Sequence, residues 1–539
     1  MMLFTALLRQ RARRDWLQVL LWVLGTALLA YGGYAGVTQS YGTLADRQNI
    51  LAAALANPVI LMFRGLPSGA SEGGFLAFEI LPWLAILAAL MSTFLAVRHT
   101  RADEEAGRAE LLAATPAGRT LPTVATMVHG VLANVLLGVL SAAVLVSTGF
   151  DPAGSWLTGA AATAVGIAFL GIGLVAAQLM RTSRAANSLT VWVLVATFLL
   201  RGIGNAGGTP SDDLTHTASA WPAWASPFGW AEQARPFDEN LWWPVLVAVA
   251  VGLLLAAAAT VLQSVRDMGA SFFAGRPGRV HARPALGSSH ALVWRLTSGA
   301  IVGWAIGGAL TGILATTLGS VVDQVAGQNP AVVAIITKLA QSGSLDEAVI
   351  TVFFTMLGIV AGCCAVQTVV RARQEEAHGT AEPVLAAPVG RVRWLADHLI
   401  VATSAVLIIV VAAVAAGWLG VAANGGSADL YRTVLVDGAG QLVAASVFTV
   451  ITALVFVLAP RATIAIAWAL LLVATMLGMF GPLFGLPEWT TNLSPFGLTP
   501  VVSGSDVDAR GVWWLILAIA AGAAASLALM RRRQLAASG

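Results

Sequence analysis

The chain holds 539 residues, of which 58% are hydrophobic and only 11% charged, with a mean hydropathy of +0.80. Soluble domains carry about 25% charged residues, so a chain this poor in charge cannot cover a water-facing surface and has the bilayer as its main solvent. Its net charge of +3 rests almost wholly on Arg, Lys338 being the single Lys, a pattern of GC-rich coding that implies no nucleic-acid partner.

From the N-terminus, Arg9, Arg11, Arg13 and Arg14 precede the first apolar run, 17–37. That run is too long for the core of a cleavable leader and has no small-residue cleavage site behind it. Residues 1–16 are therefore expected to form an interfacial amphipathic helix leading into a true span. Apolar stretches of about 20 residues occur twelve times: 17–37, 76–97, 121–147, 156–180, 187–204, 241–265, 296–318, 348–370, 396–421, 440–459, 462–485 and 512–530. With the N-terminus inside, all basic residues except Arg47, Arg64, Arg201, Arg235, Lys338, Arg432 and Arg510 fall on internal segments. The positive-inside rule then puts both termini in the cytoplasm.

Two polar stretches of this apolar chain match without a gap at an offset of 272. Arg101 corresponds to Arg373, Asp103-Glu104 to Glu375-Glu376, and Gly107 to Gly379. Glu110 corresponds to Glu382, Pro116 to Pro388, and Gly118-Arg119 to Gly390-Arg391. The same offset pairs Asn57-Pro58 with Asn329-Pro330. Ser226-Pro227-Phe228-Gly229 recurs as Ser494-Pro495-Phe496-Gly497, each ahead of a tryptophan pair, Trp242-Trp243 or Trp513-Trp514, suited to an interfacial belt. The chain thus reads as an all-α polytopic membrane protein of two parallel six-helix repeats related by an axis along the membrane normal. The expected division is 1–266, a cytoplasmic linker at 267–292 rich in Arg, Gly, Pro and Ser, and 293–539.

Both matched stretches are expected to open a short helix, whose positive end suits the acids. Glu104 and Glu105, or Glu375 and Glu376, would pair with basic residues of a soluble partner, while Leu111-Leu112 or Val384-Leu385 would insert in a groove.

The chain has no G-x-x-x-x-G-K-[ST] phosphate loop, no H-E-x-x-H and no G-x-S-x-G. Cys363 and Cys364 are neighbours and read as packing residues. No catalytic residue, metal site or cofactor is expected in this chain. Asp397-His398 reads as a solvated cap at a helix start. Among polar groups at membrane depth, Glu79 stands before Pro82 with Thr351 as its counterpart, and either contacts substrate, gates, or snorkels to the interface. His129, Asn134 and Gln178 would contact substrate or bond neighbouring helices.

On these residues the chain resembles the permease subunit of a type-2 ABC exporter, specifically the fused twelve-span polyketide-antibiotic (tetronasin-type) export permeases. The resemblance covers nearly the whole chain. It implies that Arg101–Arg119 and Arg373–Arg391 are coupling helices, with Arg101, Glu104, Glu105, Gly107, Glu110, Arg119, Arg373, Glu375, Glu376, Gly379, Glu382 and Arg391 as the contact core. It implies two copies of a separate nucleotide-binding ATPase, which would hold ATP and Mg, and re-entrant external segments at Pro227-Phe228 and Pro495-Phe496. The setting would be a bacterial plasma membrane and the cargo a hydrophobic or amphipathic compound, a drug or lipid, exported by alternating access. The copies differ at Glu105/Ala377 and Arg108/Thr380, so the two docking sites need not be equal.

A proton-coupled transporter of the major facilitator type shares the 6+6 layout. It has a short Gly- and Arg-rich loop after its second span, however, where this chain has a long acidic one. A membrane-embedded transferase would want an acidic pair in the first external loop, where Asp46 stands alone beside Arg47.

Overall fold

A backbone in hydrocarbon has no water to bond, so each apolar run must satisfy its N–H and C=O groups within itself and folds as a helix. The computed structural model describes residues 2–56, 58–115, 118–273, 287–317, 345–481, 487–503 and 506–534. Among them are twelve helices long and apolar enough to cross a membrane, one for each run read from the sequence. Asn57, Pro116, Asn329-Pro330, residues 274–286 of the linker and 482–486 of the eleventh run lie outside the described residues. The chain divides into two compact units, Met1–Pro277 and Gly278–Gly539.

In the first unit α1 (Met2–Ser40) is followed by α2 (Leu44–Ala56), α3 (Pro58–Phe63) and α4 (Glu72–Arg98). Then come the short α5 (Arg101–Glu105) and α6 (Arg108–Ala113), α7 (Leu121–Ser147), α8 (Pro152–Leu179) and α9 (Ser183–Ala206), and finally α10 (Pro227–Gln233) and α11 (Trp243–Val265). The spans are α1, α4, α7, α8, α9 and α11. Side-chain oxygens start three of them: Ser71 accepts from Gly74 N at 3.0 Å, Asp151 from Gly154 N at 3.0 Å, and Thr182 from Ala185 N at 3.1 Å. The central helix is α8, with 78% of its apolar window buried against 22% for α1. It reaches that position through small residues: a Cβ on Gly138 or Gly159 would overlap the opposite carbonyl where α7 meets α8, and Gly171 meets Gly252 of α11 in the same way.

The second unit runs α12 (Ser289–Thr317), α13 (Leu345–Ala377), α14 (Glu382–Ala386), α15 (Arg391–Ala423), α16 (Ala428–Leu458), α17 (Thr463–Thr475), α18 (Glu488–Thr491) and α19 (Arg510–Met530). Its spans are α12, α13, α15, α16, α17 and α19, with α17 prolonged by a π turn, Met476–Phe480. A 3₁₀ turn, Pro495–Leu498, precedes α19.

Three local expectations change. The N-terminal basic segment is the start of one continuous helix of 39 residues, with Arg11 and Asp15 buried, rather than a separate interfacial helix. The helix α13 runs on through Arg373, Glu375 and Glu376, which therefore sit on the last turns of a span and not in a loop. Asp397 and His398 lie inside α15, 5% and 0% exposed, so neither is a solvated cap.

Candidate functional site: the matched stretches and the buried ion pairs

In the first unit, α5 and α6 lie at the end where α1 begins, joined through Gly107 at φ +69°. Gly379, between α13 and α14, has φ +71°. A side chain in this left-handed region costs about 1–2 kcal/mol, which explains why glycine recurs at the matched position.

Asp103, Glu104 and Glu105 of the first stretch are bonded within the chain. Arg101, 1% exposed, donates from Nε to Ala177 O at 2.9 Å and from Nη1 to Glu104 Oε2 at 2.8 Å. Arg266, at the end of α11, holds the other Glu104 oxygen and donates from Nε to Gln178 Oε1 at 3.0 Å. Glu105 accepts Ser183 N at 2.9 Å, and so closes the positive end of α9 with a carboxylate. Asp103 pairs with Arg14 at 3.0 Å and Arg108 at 2.7 Å. Glu110, Leu111 and Arg119 remain exposed, Leu111 at 73%. Behind this stretch is a cavity of about 310 Å³ lined by His99, Asp103, Glu104, Arg119, Gln263 and Arg266, among others.

The second stretch follows the same scheme with different partners. Glu376, its side chain 2% exposed, takes two bonds from Arg533 Nη2, both at 2.7 Å, and lies 3.7 Å from Arg373. Glu375 pairs with Arg371 at 3.1 Å and with His398 at 3.6 Å. Arg391 donates to Arg533 O at 2.7 Å. Glu382, in the first turn of α14, is exposed.

Pro227 and Phe228 open α10, and Pro495 and Phe496 open the turn ahead of α19; all four are buried. Ser226 Oγ accepts Phe228 N, and Ser494 Oγ accepts Phe496 N, each at 3.2 Å. The Phe228 ring centroid lies 5.4 Å from that of Phe169 and 5.6 Å from that of Phe198, while Phe496 stacks on Phe448 at 5.5 Å. Beside Phe228, Glu232 is enclosed by Arg201 Nη1 at 2.8 Å and Asn205 Nδ2 at 2.7 Å. Burial raises the Glu232 carboxyl above the ordinary carboxylate range, with Arg201 pulling the other way.

A family described as the C-terminal domain of multidrug efflux system permease Rv1217c matches residues 286–531. Over 535 residues, 98% of this chain and 94% of the relative, the sequence is 35% identical to multidrug efflux system permease protein Rv1217c of Mycobacterium tuberculosis (strain ATCC 25618 / H37Rv). The chain belongs to the multidrug efflux permease family of Rv1217c. The matched C-terminal domain takes in every helix of the second unit from α12 to α19.

In this permease the polar groups singled out at membrane depth all have protein partners. Glu79 pairs with Arg64. Asn134 Nδ2 donates to Ser92 Oγ at 2.7 Å, tying α7 to α4, and Gln178 accepts from Arg266. His129 Nε2 lies 3.3 Å from Asp15 Oδ2, and His99 meets the same oxygen. Asp437 of α16 accepts from Thr351 Oγ1 of α13 at 2.8 Å, Thr351 being the counterpart of Glu79. Asp15, His99, Arg201, Glu232 and Asp437 were not reached from sequence. Asp15 stands in the basic N-terminal segment, and Asp437 just ahead of the apolar run that begins at 440.

Proposed function

We propose that this chain is the membrane-spanning part of an ATP-driven efflux pump that exports hydrophobic or amphipathic compounds, drugs or lipid-like molecules, from a bacterial cytoplasm. The observation that carries the reading is the 35% identity, along 98% of the chain, to a protein named as a multidrug efflux permease. The finer reading is a type-2 ABC exporter of two six-helix repeats, in the plasma membrane, with both termini cytoplasmic. Two copies of a separate ATPase subunit, holding ATP and Mg, would dock on Arg101–Arg119 and Arg373–Arg391. Its support is the match of these stretches at an offset of 272, the left-handed glycine in each, and the missing phosphate loop.

The intrachain bonds support a division of labour within each stretch. Glu104, Glu105, Glu375 and Glu376 hold the stretch to its own spans, so that a push on it moves the helices. Glu110, Leu111 and Arg119, with Glu382, face outward for the partner. Burying an exposed leucine is worth about 1.5–3 kcal/mol, so Leu111 is a suitable anchor in a partner groove. ATP-driven closure of the two ATPase subunits would then switch access of the transport path from inside to outside.

The test is co-purification with a co-expressed candidate ATPase subunit, followed by dye efflux from cells. The double variant Glu110→Lys, Leu111→Asp, with Glu382→Lys in the second stretch, should fold but lose both the complex and efflux. An intact complex with full efflux would defeat the docking reading. Efflux that persists without ATP and collapses with the proton gradient would favour a secondary transporter.

A further inference from the structure

Asp15 of α1, His99 just past the end of α4 and His129 of α7 converge behind the first matched stretch. Each offers one ligand atom, and these atoms all lie within 4.8 Å of one another. Asp15 Oδ2 contacts His99 Nε2 and lies 3.3 Å from His129 Nε2. The side chains of Asp15, His99 and His129 are 0%, 1% and 10% exposed. Hydrogen bonds alone would require both imidazoles to present an Nε2 proton to one carboxylate oxygen. A divalent cation satisfies the same three atoms with both rings neutral.

Two further observations point to an ion. His99 Nδ1 is buried and makes no hydrogen bond, yet faces Asp103 Oδ2 at 3.8 Å. A metal-bound imidazole commonly turns its second nitrogen toward a carboxylate in this way, which fixes its tautomer and raises its basicity. His99 and Asp103 also line the cavity of about 310 Å³, so the cluster borders it at His99. Arg98 Nε lies 3.3 Å from Asp15 Oδ1, so the guanidinium engages the oxygen that is turned away from the imidazoles.

We propose that Asp15, His99 and His129 bind one divalent first-row transition ion of the zinc class, clamping α1, α4 and α7 together behind α5. Two imidazoles and one carboxylate suit such an ion, whereas magnesium and calcium prefer oxygen donors throughout. No second group of this geometry occurs among the described residues. The corresponding region of the second unit holds pairs instead, His290 with Asp397 at 3.7 Å and His398 with Glu375 at 3.6 Å. Among the described residues the clamp therefore belongs to the first unit alone. It escaped the sequence because Asp15 and His129 are 114 residues apart, and no short motif spans them.

The full-length protein in detergent is stripped with a chelator, dialysed against Zn²⁺ or Co²⁺, and its bound metal measured by mass spectrometry. One Zn²⁺ per chain is expected, undisplaced by excess Mg²⁺, and bound Co²⁺ should absorb in the visible. His129→Ala and Asp15→Asn should lose more affinity than the roughly 10–100-fold that removal of an outer-shell partner costs. His216→Ala, beside Asp213 and Asp238, removes an unrelated histidine and should bind as the parent does. Wild-type affinity in His129→Ala, or loss in His216→Ala, would overturn the proposal. Should His129→Ala not fold, the unaltered protein still decides: Zn²⁺ must raise its Tm, and no rise refutes the site. Neither readout involves transport or a partner, so failure here is separable from failure of the docking reading.

Discussion

Replacing Arg201 with methionine should be among the most damaging single changes in the first unit. Its side chain is 0% exposed and that of Glu232 only 2%, with 2.8 Å between them. Arg201 also donates to Met62 O at 3.0 Å and to Arg64 O, and its guanidinium lies 4.1 Å from the Phe198 ring centroid. Removing one partner of a buried pair leaves a charge without solvent or counter-ion and costs about 3–5 kcal/mol. The two backbone carbonyls left behind place Arg201→Met at the upper end of that range. Glu232→Gln should cost less, because the amide oxygen still accepts from Arg201 although its NH₂ opposes that of Asn205. Replacing both by apolar residues, Arg201→Met with Glu232→Leu, should recover part of the loss, since a buried pair is worth little against well-packed hydrophobic groups. The assay is unfolding in mixed micelles, followed by Trp fluorescence and read as a double-mutant cycle. A cost below about 1 kcal/mol for Arg201→Met, or strictly additive single changes, would refute this account of α10.

Gly107→Ala and Gly379→Ala meet no atom within 4 Å of the added Cβ, so their cost is conformational, about 1–2 kcal/mol each. Hydrogen exchange of residues 101–113 or 377–386 should quicken without a change in the rest of the unit. Arg533→Ala removes both bonds to Glu376 and should destabilise the second unit by about 1.5–3 kcal/mol. Arg531→Ala and Arg532→Ala, at exposed positions, should be nearly silent in the same unfolding assay. Ser92→Ala breaks the bond from Asn134, and intramembrane bonds of this kind average about 0.6 kcal/mol. Its effect on unfolding should therefore be several-fold smaller than that of Arg201→Met.

The spans were legible because hydrocarbon thickness fixes their length, so a count of apolar runs is also a count of candidate spans. The repeated glycine was legible as a match, and the structure supplies its cause in the positive φ at Gly107 and Gly379. What sequence could not supply was the pairing of charges across distance. Glu104 finds Arg266 162 residues away, and Glu376 finds Arg533 157 residues away. Acids that read as free for a partner are thus turned inward. Hydropathy also misplaces helix ends wherever a helix carries polar residues past the apolar run. Asp437 was lost for this reason, since α16 begins at Ala428 and not at 440. Asp397 and His398 read as a solvated cap because the apolar run starts at 396, yet α15 begins earlier, at Arg391, and buries both.

The central claim is that an external ATPase drives this permease through its two matched stretches. The direct measurement is transport of a hydrophobic fluorescent dye in proteoliposomes, with and without the partner ATPase, under ATP and with protonophore present. The account predicts no ATP hydrolysis by the permease alone, and ATP-dependent transport with the partner that is indifferent to the protonophore. Transport by the permease alone, abolished by the protonophore and unaffected by ATP, would contradict it.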